Sequence, residues 1–261
     1  PGMDGPPGMD GPPGMDGPQG PPGPPGRDGS DFLANLSCSE GDSLKFVGGA
    51  ITCVPSCIPP GEPINDNNFF AAIKSWHSQE NGNDYGYIGD WCTGAVTNMS
   101  RAFNNHTTFN EDLSDWDTSS VTNMSQMFEN ANAFDQDLAS WDTSNVTDMH
   151  RMFYRANSFD GYIGSWQTGN VRRMDGMFTD ASGFNQALGA WDVSNVTNMN
   201  YMFERAGSFN QLLTNWNAMS VSTCSLFASG AGAWLGDYGG SIEGKTPPLS
   251  PSLIAAGCGQ S

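Results

Sequence analysis

The chain has 261 residues, with 28 acidic and 10 basic side chains and a formal net charge of −18 at pH 7. This charge argues against the nucleic-acid-binding classes, because phosphate backbones are bound by clustered Lys and Arg, and it would repel anionic membranes. A solvated acidic surface explains it most simply, and divalent cations bridging acidic surfaces are the alternative. No apolar run reaches the roughly 18 residues that a bilayer span requires.

Residues 1–30 form the first predicted element. Glycine occupies every third position from Gly2 to Gly29, ten in succession, in triplets such as Gly-Met-Asp and Gly-Pro-Pro. Only glycine fits at the axis of three wound polyproline II chains, so this segment resembles the collagen family. A disordered Pro/Gly linker is the alternative, although it would not keep the phase over ten triplets. We predict a triple-helical rod, and therefore a homotrimer or association with other collagen-like chains.

The collagen resemblance also implies hydroxyproline at the third position of several triplets: Pro7, Pro13, Pro22 and Pro25. Met-Asp pairs place carboxylates at the same position of other triplets, so three chains would carry them in rings. Arg27 is the one basic residue of this segment, so the rod needs counter-cations or basic partners. Because Pro1 falls within a triplet, we interpret the chain as a mature or partial one.

Residues 31–64 are predicted to be a Cys-containing linker between the rod and the remainder of the chain. Residues 65–80 are predicted to form an amphipathic helix with Asn65 or Asp66 as its N-cap. The expected apolar face of this helix consists of Phe69, Phe70, Ile73 and Trp76. We expect the helix to cover the open end of the repeats that follow.

Six tryptophans recur at one constant interval: Trp91, Trp116, Trp141, Trp166, Trp191 and Trp216. Val, Met, Phe and Leu recur at constant offsets from each of them, and repeats of this length are typical of stacked arrays. Leu-x-x-Trp and Val-x-x-Met predict two short strands per unit, and the spacing of Met-Phe-x-x-Ala predicts one helical turn. A single unit cannot bury its apolar residues, so the pattern predicts a repeat solenoid with a continuous core.

The unit resembles the 25-residue BspA-like leucine-rich repeat, whose signature is Phe-Asn-x-Asp-Leu-Ser-x-Trp-Asp-Thr-Ser-x-Val-Thr-Asn-Met-Ser-x-Met-Phe. Residues 116–138 match this signature nearly letter for letter, and residues 191–209 nearly so. The resemblance implies a leucine-rich-repeat-type stack of short strands and single helical turns over residues 65–240. It also implies a surface-exposed or secreted protein, often an adhesin, and it brings no catalytic residues with it.

The end units depart from the repeat, as capping units do. Cys92 replaces an aspartate, Cys224 replaces a methionine, and one residue is read as missing before Phe227. The Trp234-Leu235 pair is expected to cover the C-terminal end. Residues 241–261 are predicted to be a free Pro/Ser-rich tail, in which residues 253–256 could insert as a strand into a neighbour.

Six cysteines together with six N-x-Ser/Thr sequons predict an oxidising, secretory route. Turns about 4.8 Å apart would place Cys92 roughly 25 Å from Cys224, beyond the about 7 Å between Cα atoms that a disulfide allows. We therefore predict that Cys224 pairs with Cys258. The other four cysteines would form two bridges near the N-terminal cap: Cys38, Cys53, Cys57 and Cys92. An interchain bridge near the base of the rod is the main alternative.

The six sequons predict N-glycosylation: Asn35, Asn98, Asn105, Asn123, Asn145 and Asn195. Four of them fall on the repeat consensus, where turn chemistry explains asparagine without any sugar. Asn35 and Asn105 lie off that consensus and are the stronger candidates.

Asp117, Asp142 and Asp192 form a column one residue after tryptophan, which could bind calcium. Other residue types interrupt the column, and Asx turns explain aspartate and asparagine equally well. The cysteines and histidines lack zinc-ligand spacing, so no other metal and no cofactor is expected. The chain shows no combination of nucleophile, base and orienting residue and no phosphate-binding loop, so we do not expect an enzyme.

These features together predict an extracellular structural protein. Collagen-like trimerisation and contacts between the repeat-containing heads would build a filament, a surface hair or a matrix. The alternative is a cell-surface adhesin that presents three heads on one stalk, where multivalency raises the avidity for glycans or proteins.

Overall fold

The computed structural model describes residues 42–47, 50–55, 64–78, 86–232 and 249–258. The predicted rod with its hydroxyproline positions, Asn35, Cys38, Cys57 and the Trp234-Leu235 pair all lie outside these residues. Within the predicted linker, strands β1 (Asp42–Val47) and β2 (Ala50–Pro55) form an antiparallel hairpin with Asp42 opposite Pro55 and Val47 opposite Ala50.

Helix α1 (Phe69–Ser78) is shorter than the predicted helix over residues 65–80. Residues 65–68 form a separate turn ahead of it. Asn65 caps this turn as predicted, since its side chain accepts the Asn67 N–H and its carbonyl accepts the Phe69 N–H, both at 2.9 Å. Asp66, a predicted cap, instead accepts the backbone N–H and the hydroxyl of Thr97 in the first repeat, at 2.8 and 2.6 Å. Asp66 therefore joins the N-terminal helix segment to the stack of repeats.

The buried face of α1 differs from the prediction at one position. Phe69, Ala72 and Ile73 are buried, and Trp76 packs edge-on against Phe109 with ring centroids 5.7 Å apart. Phe70 is 43% exposed, so its placement on the apolar face was wrong. The helical period explains the difference, since positions i, i+3, i+4 and i+7 share a face and position i+1 does not.

Beyond the 3-10 turn Ile88–Asp90, the chain makes a stack of turns with the same period as the tryptophans. Isolated parallel bridges join each turn to the next: Asn98↔Asn123, Asn123↔Asp148, Asp148↔Arg173, Arg173↔Asn198 and Asn198↔Thr223. Alternate N–H groups donate to carbonyls of the next turn, in the first turn those of Met99, Arg101, Phe103 and Asn105 at 2.8–3.0 Å. The same four bonds recur in each of the following four turns.

The segment predicted as a helical turn has a different conformation. Among the described residues of the repeats it contains no α-helix, and its remaining N–H groups bond only three residues back, as Ala102 does to Met99 at 3.2 Å. Arg101 and Asn105 have left-handed φ angles of 62° and 63°, and their equivalents in later turns do the same. The reason is that every second N–H donates to the next turn, which leaves it unable to close a helical bond four residues back. Of the two predicted strands per unit, the Val-x-x-Met segment is reduced to a single bridge. Among the described residues, the Leu-x-x-Trp segment forms no bridge except Leu213↔Leu249.

The interior of the stack consists of aromatic columns. The tryptophan rings of the Trp91–Trp116 pair, and those of successive turns from Trp141 to Trp216, lie 6.1–6.4 Å apart and nearly parallel. Phenylalanine rings of successive turns from Phe103 to Phe203 lie 5.4–5.7 Å apart. Each tryptophan from Trp116 to Trp216 donates its Nε1–H to a carbonyl 28 residues earlier, at 2.8–3.0 Å. The tryptophan thus satisfies its polar group while its ring stays in the core. Interpreting this stack as a leucine-rich-repeat solenoid remains a prediction.

The last turn has no deletion, contrary to the sequence interpretation. Phe203 N–H donates to the Phe227 carbonyl at 2.7 Å, the equivalent of the bond from Phe178 to Met202. Phe227 therefore occupies the position of the second methionine, and Ala228 that of the phenylalanine. The Phe227 ring meets Phe203 edge-on at 5.3 Å, so the larger side chain at the methionine position closes the end of the phenylalanine column.

The C-terminal segment packs against the last turns, so the predicted free tail and insertion strand are wrong for residues 249–258. Leu249 bridges Leu213 in parallel, and helix α2 (Pro251–Ala255) follows. The Ser252 hydroxyl donates to the Trp216 carbonyl at 3.0 Å and accepts the Ala218 N–H at 2.8 Å. Leu253 is fully buried, so the residues expected to bind a neighbour instead close this chain's own core.

Cys224 and Cys258 form a disulfide, with Cα atoms 5.0 Å apart and a sequence separation of 34. This pairing is the one predicted from the sequence, where the spacing of the turns excluded Cys92 as the partner of Cys224. Cys92 is also disulfide-bonded, while the pairing of Cys38, Cys53 and Cys57 lies outside the described side chains. None of the helices among the described residues has the length and apolar character of a membrane span.

Candidate interaction surface

All six arginines of residues 86–232 lie in the same part of the repeat unit. We define the arginine edge as residues 97–105, 122–130, 147–155, 172–180 and 197–205, which are equivalent segments of five successive turns. It contains the six arginines of residues 86–232: Arg101, Arg151, Arg155, Arg172, Arg173 and Arg205. Five carboxylates share this edge, so its formal charge is +1, whereas the four segments between these stretches carry nine carboxylates and no Lys or Arg.

The backbone of the stack holds these side chains outward. Met and Phe of each segment are buried, and all six arginines are exposed. Arg101, Arg151, Arg155 and Arg205 all occupy left-handed positions, with φ between 50° and 62°. Because the bonds between turns impose that conformation, the exposed side chains recur in register from one turn to the next.

A first group of charges joins the third and fourth turns. Arg173 bridges Asp148 of the turn before at 3.3 Å and Asp175 of its own turn at 3.2 Å. His150 Nδ1 lies 2.6 Å from Asp175 Oδ2. Burial raises the pKa of Asp175, but the hydrogen bonds and charges of His150 and Arg173 outweigh it and hold that pKa below 3.8. The carboxylate is therefore ionised throughout the neutral range and fixes the orientation of the Arg173 and His150 side chains.

A second group of charged side chains occupies one equivalent position, six residues after the first methionine of the segment, in three successive turns. Asp180 sits between Arg155 and Arg205, with its Oδ2 3.4 Å from the Arg155 Nε and 2.9 Å from the Arg205 Nη2. The Arg205 hydrogen bond is the main cause that lowers the pKa of Asp180, and Asp180 in turn raises the pKa of Arg205. These exposed pairs contribute little to stability. Their effect is to hold two guanidinium groups side by side.

Tyr154 lies between two guanidinium groups. The Cζ atoms of Arg151 and Arg155 stand 5.0 and 5.1 Å from the centre of its ring, within cation–π range. Among the described residues, no carboxylate lies within ion-pair distance of Arg151 or Arg172. Tyr201, two turns further, is 42% exposed. Arginine and tyrosine are enriched at the centres of protein interfaces, so this edge has the composition of a binding surface for carboxylate or sulfate groups.

The carboxylates of the predicted calcium column accept backbone hydrogen bonds within Asx turns. Asp117, Asp142 and Asp192 each accept the N–H of the serine two residues later, at 2.9–3.0 Å. Among the described residues, no group of three or more His, Cys, Asp or Glu side chains is arranged to hold a metal ion. The Asx-turn alternative therefore describes what these side chains do in this structure.

The consensus sequons also take part in hydrogen bonds of the stack. The Nδ2 groups of Asn145 and Asn195 donate to carbonyls of the preceding turn at 2.7 Å. Asn98 and Asn123 accept the N–H of the serine two residues later. Asn105, which lies off the consensus, is exposed and accepts from Asn130 at 2.9 Å. Glycosylation at all of these positions remains a prediction.

A pair of histidines lies where α1 covers the first turn. The rings of His77 and His106 are 4.1 Å apart, and the buried His106 Nδ1 has no hydrogen-bond partner among the described residues. Burial is the main cause that lowers the pKa of His106 from 6.5, and the nearby His77 lowers it further. The folded protein therefore prefers neutral His106.

We expect this histidine to make the protein less stable in mild acid. Between the lowered pKa and 6.5 the unfolded chain binds more protons, so stability is complete above 6.5 and declines as the pH falls below that value. Urea unfolding at several pH values should show the decline in the natural chain. His106→Gln should remove most of it, and an unchanged pH profile in that variant would contradict the assignment.

The repeat periodicity predicted the core residues but not the arginine edge. Arg172 and Arg173 stand where most other units have Thr-Asn or Thr-Asp, but the period alone gives these arginines no role. The usable signal was that all six arginines fall in the same nine-residue stretch of the repeat.

Comparison with known proteins identifies a family but no activity. No curated protein and no solved structure matches the chain. One family model, described as "Mycoplasma protein of unknown function, DUF285", matches residues 67–172 and again residues 138–238. The two matches together cover more than half of the 261 residues and include the whole arginine edge. The chain therefore belongs to the DUF285 family.

Proposed function

We propose that the protein is an extracellular structural subunit. In this proposal the stacked turns are a leucine-rich-repeat solenoid of the BspA-like kind, and residues 1–30 form a collagen-like rod that trimerises the chain. Contacts between solenoid heads then build a filament, a surface hair or a matrix. The protein is not an enzyme.

The observation that carries the proposal is the continuous aromatic core of residues 86–232. Phenylalanine rings stack turn upon turn from Phe103 to Phe203, and tryptophan rings stack from Trp141 to Trp216. The C-terminal segment is tied over the last turn by the Cys224–Cys258 disulfide. A stack held this way is a rigid spacer that offers length and surface. The disulfide supports an oxidising compartment, and the glycine triplets support trimerisation.

An adhesin is the second candidate, and the arginine edge is the observation that favours it. Exposed arginines flanked by Tyr154 and Tyr201 could bind acidic glycans or proteins, and three heads on one stalk would gain avidity. In that case the copies would not need to contact each other.

Electron microscopy of the purified full-length chain separates the two candidates. We expect ordered fibres or sheets in which heads contact heads. Isolated particles with three heads on one stalk, at concentrations where they could assemble, would overturn the structural proposal in favour of the adhesin.

A further inference from the structure

Charge is divided unevenly along the stack. Residues 86–146, which we term the acidic half, carry nine carboxylates and one arginine, a net charge of −8. Residues 147–205, which we term the arginine half, carry six carboxylates and five arginines, a net charge of −1. One rigid body therefore presents a strongly acidic surface near its N-terminal end and a cation-bearing surface further along.

The cations of the arginine half are available to a partner. Arg151 and Arg172 have no carboxylate within ion-pair distance among the described residues, and both are exposed. Arg155 and Arg205 share the carboxylate of Asp180. Their remaining guanidinium N–H groups can still donate to carboxylates from outside, since each guanidinium has five donors.

The carboxylates of the acidic half are exposed in a matching way. Aspartates of its first two turns face solvent, among them Asp112, Asp117, Asp135, Asp137 and Asp142. No Lys or Arg occurs in the sequence between Arg101 and Arg151. These carboxylates therefore have no basic side chain in their own stretch of chain to neutralise them.

We infer that the arginine half of one copy binds the acidic half of a second copy. This inference rests on the proposed structural function and names the surfaces that would carry it. Because the two surfaces lie at different positions along the same body, the contact is heterologous, and each bound copy leaves one surface of each kind open. Such a contact adds further copies in a staggered row instead of closing into a dimer.

A second copy fits this surface better than a free polyanion does. The two halves have the same spacing between turns, so rows of guanidinium groups and rows of carboxylates can meet in register. At physiological salt the Debye length is about 8 Å. Repulsion between whole chains of charge −18 is therefore screened, and the local complementarity of the docked surfaces decides binding.

The test is sedimentation velocity of the full-length chain and two double variants. Arg151→Glu with Arg172→Glu reverses the unpaired cations of the arginine half. Glu111→Lys with Asp137→Lys reverses charges of the acidic half. Arg101→Glu is the matched control, because it makes the same change on the arginine edge within the acidic half. Thermal unfolding establishes that each variant is folded.

We expect the natural chain to self-associate and to dissociate as salt rises from about 0.15 M to about 0.5 M, where charges are more strongly screened. Each double variant alone should associate about tenfold or more weakly, through loss of complementary charge. An equimolar mixture of the two should recover association, since each supplies the intact surface that the other lacks. Arg101→Glu should associate at least as well as the natural chain.

Several results would overturn the inference. One is that the mixture of double variants associates no better than either alone, and another is that Arg101→Glu weakens association as much as the arginine-half variant. If a sulfated polysaccharide binds the natural chain but not the arginine-half variant, while self-association is unchanged, the surface recognises glycans instead. Fibres that persist in both double variants under the electron microscope would refute this contact and leave the structural proposal standing. Salt-sensitive association without ordered assemblies would support this contact and refute the structural proposal.

Discussion

Replacing Trp166 by alanine is expected to lower the free energy of unfolding by about 3–5 kcal/mol, the usual cost of removing a large aromatic side chain from a packed core. The ring is 3% exposed and stacks between Trp141 and Trp191 at 6.3 and 6.1 Å. Its Nε1–H also donates to the Leu138 carbonyl at 2.9 Å, a bond that reaches the preceding turn. The measurement is chemical denaturation followed by circular dichroism.

Two further variants separate packing from hydrogen bonding. Trp166→Phe keeps an aromatic ring but loses the N–H, so it should cost less than alanine while still losing about 1 kcal/mol of hydrogen-bond stabilisation. Tyr162→Ala, at a 44% exposed aromatic residue of the same turn, should change stability by only about 0.5 kcal/mol. If Trp166→Ala costs no more than Tyr162→Ala, the stacked core does not hold the turns together.

Breaking the Cys224–Cys258 disulfide should have the second large effect. By the loop-entropy relation, a closed loop of 34 residues corresponds to about 3–4 kcal/mol. Cys258→Ser should therefore lower the free energy of unfolding by that amount, because the unfolded chain gains freedom. The folded chain would also hold residues 249–258 by the Ser252 hydrogen bonds and Leu253 burial alone. Denaturation under oxidising conditions measures the loss.

A double-variant cycle tests whether the bond itself is responsible. Cys224→Ser should cost about as much as Cys258→Ser, and the double variant no more than either, since all three remove the same bond. Ser252→Ala, which removes the hydroxyl between Trp216 and Ala218, should cost about 1 kcal/mol. Additive losses from the two cysteine variants would indicate that burial of the two side chains, and not the disulfide, secures the C-terminal segment.

The candidate surface shows how sequence and structure divide the information. The repeat period aligns the six arginines in one stretch of the unit, which is visible without coordinates. Which of them are paired is not visible, because the ion pairs join residues of different turns, as Arg205 and Asp180 do. A periodic sequence shows which residues are equivalent. The contacts between turns depend on the side-chain conformations, which must span the distance of about 4.8 Å between neighbouring turns.

The period of the stack and the residues of its core follow from the amino-acid sequence without coordinates. The reason is that Trp, Val, Met and Phe recur at offsets that only stacking can bury, as their exposure of a few percent or less throughout residues 91–216 illustrates. The tertiary structure alone decided the backbone within each turn. Local spacing favoured a helical turn after each methionine, but the N–H groups that would close it donate to the next turn. Tertiary contacts also place residues 249–258. Their apolar side chains pack against the nearest uncovered core, which is the core of this chain's own last turn.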